Sequence, residues 1–91
     1  VRIEGGISIA NLDVYPNPSE ETFNISFSSE TIQSIDIRIM NVMGEEIVSE
    51  KTEQFIGEYT KKITLENQSK GIYFLEIKTK NETINKKLFL L

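Results

Sequence analysis

The residues that most invite a chemical reading are two pairs of adjacent acids, Glu20–Glu21 and Glu45–Glu46. Paired carboxylates can divide acid and base work when their surroundings push their pKa values apart. Both pairs sit beside expected turns, however, and solvated turn residues account for them more simply. The chain contains no His and no Cys, which removes the usual nucleophile–base pairs and the common zinc ligands. Asp13 and Asp36 could offer oxygens to calcium, yet no run spaces the acids like a calcium loop. Gly5–Gly6 precede a short apolar stretch without the Lys and Ser/Thr that a phosphate loop requires. The expectation is no catalytic residue, no metal and no cofactor.

Binding chemistry is equally sparse. There is no Trp, and the aromatics lie mainly inside alternating segments, where packing explains them; Tyr15 and Tyr59 are the two that could be exposed. Asn24, Asn67 and Asn81 begin Asn-x-Ser/Thr triplets, which are cheap matches in an Asn- and Ser-rich chain. Net charge is −4, but it is unevenly spread: residues 1–60 hold 11 acids and three bases, residues 61–91 seven lysines and three acids. Those lysines alternate with apolar residues, the pattern of a sheet's wet face rather than a nucleic-acid groove. The longest apolar run is the four residues "LFLL", far short of the 18 or more that a membrane helix needs. The start, "VRIEGG", has neither a Met nor the basic and apolar regions of a signal peptide, so a fragment or the mature C-terminal part of a longer protein is expected.

The elements that must position any site are strands. Ninety-one residues with 38% apolar content suit one small globular domain. No segment keeps a helical period over twelve residues, while period-two alternation recurs. In "SIDIRIMNV" it sets Ile35, Ile37 and Ile39 against Asp36, Arg38 and Met40, and in "FNISF" it aligns Phe23, Ile25 and Phe27. "YTKKITL" is read with Lys61 outward and Ile63 and Leu65 inward. "GIYFLEIKT" groups Tyr73, Leu75 and Ile77, and "TINKKLFLL" closes the chain. With "LDVY" and "EEIVSE" this makes seven candidate strands. The turns "NVMGEE", with Gly44 supplying a positive φ, and "TKNE", through Lys80 and Asn81, are short enough to join antiparallel neighbours. The expected fold is all-β: an immunoglobulin-like β-sandwich of about seven antiparallel strands in two sheets.

Both prolines lie in "VYPNPS". Each fixes its own φ and biases the residue before it, Tyr15 or Asn17, toward an extended conformation. Neither Pro16 nor Pro18 offers an N–H to a neighbour, as befits a first strand leaving a sheet edge.

In combination these segments resemble the type A C-terminal sorting domain of the type IX (Por) secretion system. The resemblance rests on "LDVYPNP", a following apolar–polar strand, "IRIMNVMGEEIV", "LENQSKGIYFLEI" and a lysine-rich strand ending in "KKLFLL", and it covers about residues 10–91. It places the early motif on Tyr15, Pro16, Asn17 and Pro18. The mid-domain turn falls on Asn41 to Gly44, with Asn where the family usually has Asp. The Gly-x-Tyr element is Gly71 to Tyr73, and the closing tail is Lys86, Lys87, Leu88, Phe89, Leu90 and Leu91.

What the resemblance implies is a non-catalytic address label. Residues 1–9 would be a linker or upstream extension and residues 10–91 the sorting domain, joined covalently to an upstream cargo. The cargo would transit the periplasm, cross the outer membrane through the type IX translocon, and end secreted or on the cell surface. A sortase-like cysteine protease would then remove the domain. No nucleic acid and no membrane span is implied. The alternative is an immunoglobulin-like accessory module binding glycan or protein, which would show an exposed aromatic cluster rather than an accessible terminal strand.

Overall fold

The computed structural model describes residues 9–65, 67–80 and 82–91; the expected linker at the N-terminus thus falls largely outside the described residues, as does Asn81 of the last turn. Among the described residues five strands form: β1 (Ile9–Tyr15), β2 (Thr22–Met40), β3 (Glu46–Thr64), β4 (Gly71–Lys78) and β5 (Thr83–Leu90). The alternation that predicts them is the alternation that buries them. Phe23, Ile25 and Phe27, then Ile35, Ile37 and Ile39, are all essentially inaccessible, as are Leu75, Ile77 and Leu88. Each such side chain contributes roughly 1.5–3 kcal/mol by leaving water.

All strand pairs are antiparallel, and they belong to one hydrogen-bonded sheet. The all-β class holds, with one curled sheet of five strands among the described residues where two sheets of about seven strands were expected. The seven segments are all extended, but "FNISF" and "SIDIRIMNV" fuse into the 19 residues of β2, and "EEIVSE" and "YTKKITL" into the 19 residues of β3. The physical reason lies in the joints. "SSETIQ" and "KTEQFIG" carry no proline, so nothing in them interrupts the β2–β3 ladder outright.

The long hairpin cannot be straight. Nineteen residues at about 3.3 Å each would span about 60 Å, whereas the longest axis of the molecule is 43 Å. The bend sits where the register slips, between Ser29 and Gln33 and again before Ile35. On the partner strand, Gln54 (φ 53°) and Gly57 (φ 102°) take left-handed conformations at the same level. Such bulges sharpen local twist and turn corners in sheets. The sheet therefore curls: residues 24–29 of β2 pair with β1, and residues 36–40 of the same strand pair with β4, which pairs in turn with β5. The core fills the curl.

One inward–outward assignment needs correcting as well. Lys61 shares the parity of Tyr59 and Ile63, so its stem lies half-buried on the core side and its Nζ reaches out to Glu50 Oε1 at 3.3 Å. A lysine can occupy such a position because its aliphatic stem packs while its ammonium finds a carboxylate.

Candidate functional site at the C-terminal end of β5

The mid-domain turn forms as its residues dictate. The N–H of Gly44 donates to the Asn41 carbonyl at 3.0 Å, and Gly44 holds φ 85°. The side-chain Oδ1 of Asn41 accepts from the N–H groups of Met43 and Glu45, both at 2.9 Å, while its Nδ2 donates to Glu45 Oε1 at 2.7 Å. Asn41 thus caps the turn with its oxygen, and adds a donor that a carboxylate beside Glu45 would lack. Val42 and Met43 at the tip are exposed.

Gly71 opens β4 at φ 139°, and an added Cβ there would meet no atom within 4 Å, so only the backbone conformation asks for glycine. Two residues on, Tyr73 is buried, and its hydroxyl donates to the Ser69 carbonyl at 2.5 Å, tying down the loop before the strand. A shallow groove is shared by this segment and the mid-domain turn, with Asn41, Met43, Ser69, Gly71 and Ile72 in its walls.

Directly across from this segment runs the end of β5, with Gly71 opposite Leu90, Ile72 opposite Phe89 and Tyr73 opposite Leu88. On the far edge of β5 lies the proline motif. Its two X–Pro peptide bonds, Tyr15–Pro16 and Asn17–Pro18, are cis. Ser19 makes a parallel bridge to Leu90: its N–H donates to the Phe89 carbonyl at 3.0 Å, and its carbonyl accepts from the N–H of Leu91 at 2.8 Å. The side chain of Asn17 extends this ladder by one step. Its Nδ2 donates to the Lys87 carbonyl at 2.9 Å and its Oδ1 accepts from the N–H of Phe89 at 3.0 Å. Ser19 itself is fixed by its hydroxyl, which donates to the Thr22 carbonyl and accepts from the N–H groups of Glu21 and Thr22.

Three of the motif elements therefore meet around one strand end, and the mid-domain turn lies one strand further, beside Gly71. Within that strand end, Leu88 and Leu90 are buried while Phe89 is 41% and Leu91 55% exposed. Lys86 and Lys87 are both exposed, with Lys86 on the parity of the core residues and Lys87 on the outer face beside Phe89. The Nζ of Lys70 donates to the Leu91 carbonyl from the neighbouring loop. Tyr15 is exposed at the opposite side of the motif. Ser19 and Lys70 are the contributors that sequence reasoning missed. Ser19 followed by an acidic pair is the one signal that could have flagged a capped turn.

The two pairs of adjacent acids have structural partners or open solvent. Glu45 accepts from Asn41, Glu46 lies 3.5 Å from Arg38, and Glu20 and Glu21 are exposed at a groove beside Pro16 and Pro18. Among the described residues no group of three or more His, Cys, Asp or Glu could hold a metal ion, and no helix is long and apolar enough to cross a membrane. Tyr59 is not exposed but stacks on Phe27, with ring centroids 4.7 Å apart, and Phe55 meets both rings edge-on. Burial, with Glu50 beside it, pushes the Tyr59 hydroxyl up to about 12.

Comparison with curated proteins finds no match. Comparison with protein families finds one over residues 13–90, the secretion system C-terminal sorting domain. That span takes in the proline motif, the mid-domain turn, Gly71–Tyr73 and all but the last residue of the tail. The chain belongs to this family, and it is a C-terminal sorting domain of the Por (type IX) secretion system.

Proposed function

We propose that the type IX translocon reads the folded domain at the end of β5. Residues 10–91 would then be the unit that is read, residues 1–9 the link to the cargo, and the route a periplasmic one ending outside the cell. A sortase-like cysteine protease acts afterwards, removing the domain and leaving the cargo at the surface. The residues assigned to recognition are Tyr15 to Pro18, Gly44, Gly71, Tyr73 and Lys86 to Leu91. The observation that carries this reading is a convergence: the proline motif on one edge and Gly71–Tyr73 on the other flank one strand end whose alternate side chains Phe89 and Leu91 stay exposed, with the mid-domain turn one strand further, beside Gly71.

The same reading treats the curled sheet as an immunoglobulin-like sandwich. The slips in register at the middle of β2 support it, since they divide the long hairpin into a part beside β1 and a part beside β4. An accessory glycan-binding module has less support, because the clustered aromatics Phe27, Phe55 and Tyr59 pack at the core.

The test is a periplasmic reporter carrying the whole chain at its C-terminus, expressed in a type IX-competent bacterium and in the same strain without the sortase-like protease. The expected result is an external reporter shortened by the domain in the first strain and full-length in the second. A reporter that stays periplasmic in both strains refutes recognition. One that is exported but never shortened refutes the removal step alone.

A further inference from the structure

The clasp made by Asn17 and Ser19 covers only part of the outer edge of β5. Backbone groups alternate between the two edges of a strand. Because the N–H and carbonyl of Phe89 face the clasp, those of Leu88 and Leu90 face β4. By the same alternation, the backbone of Asn85 and the N–H of Lys87 face outward with no backbone partner among the described residues. Toward β4 the strand is paired at all eight positions from Thr83 to Leu90. Toward the clasp it is held by one backbone bridge and one side-chain amide. The two edges are held very unequally.

We propose that this outer edge is a strand-addition site. An extended segment of a receiving protein pairs first with the open stretch at residues 85–87, then displaces Asn17 and Ser19 and continues along Phe89 and Leu91. Strand addition draws affinity from main-chain hydrogen bonds and specificity from alternate side chains. The clasp itself shows that the edge accepts a parallel neighbour, since Ser19 already pairs in that sense. The flanking side chains define the partner's chemistry. Exposed Lys86 and Lys87 make no ion pair among the described residues, and Phe89 and Leu91 are exposed apolar groups. A segment mixing acidic and apolar side chains complements them. Pro16 and Pro18 fit the same picture, because a clasp lacking N–H groups at those two positions cannot itself seed a further strand. This inference rests on the reading that β5 is where the domain is recognised, and it adds the mode of recognition.

The decisive variant is Asn85→Pro, which deletes one outward N–H while leaving the β4-facing groups intact; proline is tolerated on such an edge. In the reporter fusion, export by the unmodified chain with an export rate about ten-fold lower for Asn85→Pro is expected, the equivalent of one lost hydrogen bond. Equal export of a folded Asn85→Pro chain overturns strand addition and leaves the sorting reading standing. No export of the unmodified chain overturns both. If Asn85→Pro does not fold, hydrogen exchange of the native domain decides. The amides of Phe89 and Leu91 are expected to exchange about ten-fold or more faster than those of Leu88 and Leu90, because the clasp opens by itself. Equal protection of the four amides shows that the clasp opens only with the whole fold, and contradicts a displaceable clasp.

Discussion

The side-chain amide of Asn17 stands beside Phe89 in the place of a peptide group, accepting its N–H at 3.0 Å and donating to the preceding carbonyl, that of Lys87, at 2.9 Å. Only a planar amide of this length supplies both a donor and an acceptor here. This explains why an asparagine is set between two prolines. The prolines fix the backbone and withdraw its donors, and the side chain takes over the pairing that the backbone gives up. Asn17→Asp keeps the acceptor and loses the donor, and so is expected to lower stability by about 1 kcal/mol, whereas Asn17→Ala loses both bonds and costs about 1–2 kcal/mol. Urea unfolding followed by the shift in midpoint measures the difference. Equal midpoints for Asn17→Asp and the unmodified domain would show that the Lys87 bond contributes nothing.

Gly44 isolates backbone conformation from crowding. It holds φ 85°, and no atom lies within 4 Å of where a Cβ would stand. Gly44→Val is therefore expected to cost about 1–3 kcal/mol through the left-handed φ alone. An unchanged urea midpoint would mean that the turn relaxes into another type without loss.

Tyr59 makes alkaline stability testable. Its hydroxyl is pushed up to about 12 by burial first and by Glu50 second, above the ordinary value of 10. A raised folded-state value means that the native state holds its proton longer than the unfolded chain does. The stability this confers is complete below pH 10 and disappears as pH rises through about 12. Other groups titrate in the same window, so the comparison is with Tyr59→Phe. The unfolding free energy of the native domain should fall more steeply between pH 10 and 12 than that of the variant, and parallel curves would refute the assignment.

Much of this was legible in the sequence, and the reasons are local. Ile35, Ile37 and Ile39 announce a strand face because period-two alternation is a property of neighbours, and Asn41 to Gly44 announce a turn for the same reason. The fusion of strands was not legible. Ser29 to Ser34 carry turn-like composition, yet the β2–β3 ladder resumes beyond them, and a slip in register is decided by the partner strand. Gly57 was the available sign of a bend in β3. The tail was legible as alternating, hence the exposure of Phe89 and Leu91. That Asn17 holds its edge depends on a contact across 72 residues, which no local pattern carries.

The exposed end of β5, held by the proline motif, is proposed to direct secretion. Deleting the tail is a poor test, because Leu88 and Leu90 belong to the core and their loss would unfold the domain. Replacing the two outward side chains, Phe89→Asp with Leu91→Asp, leaves the core untouched. The measurement is the external fraction of a reporter fused to the intact or doubly substituted chain in a type IX-competent bacterium, with circular dichroism of both purified domains. Export of the intact fusion and periplasmic retention of the substituted one are expected, with both domains folded. Equal export of the two fusions would contradict that proposal.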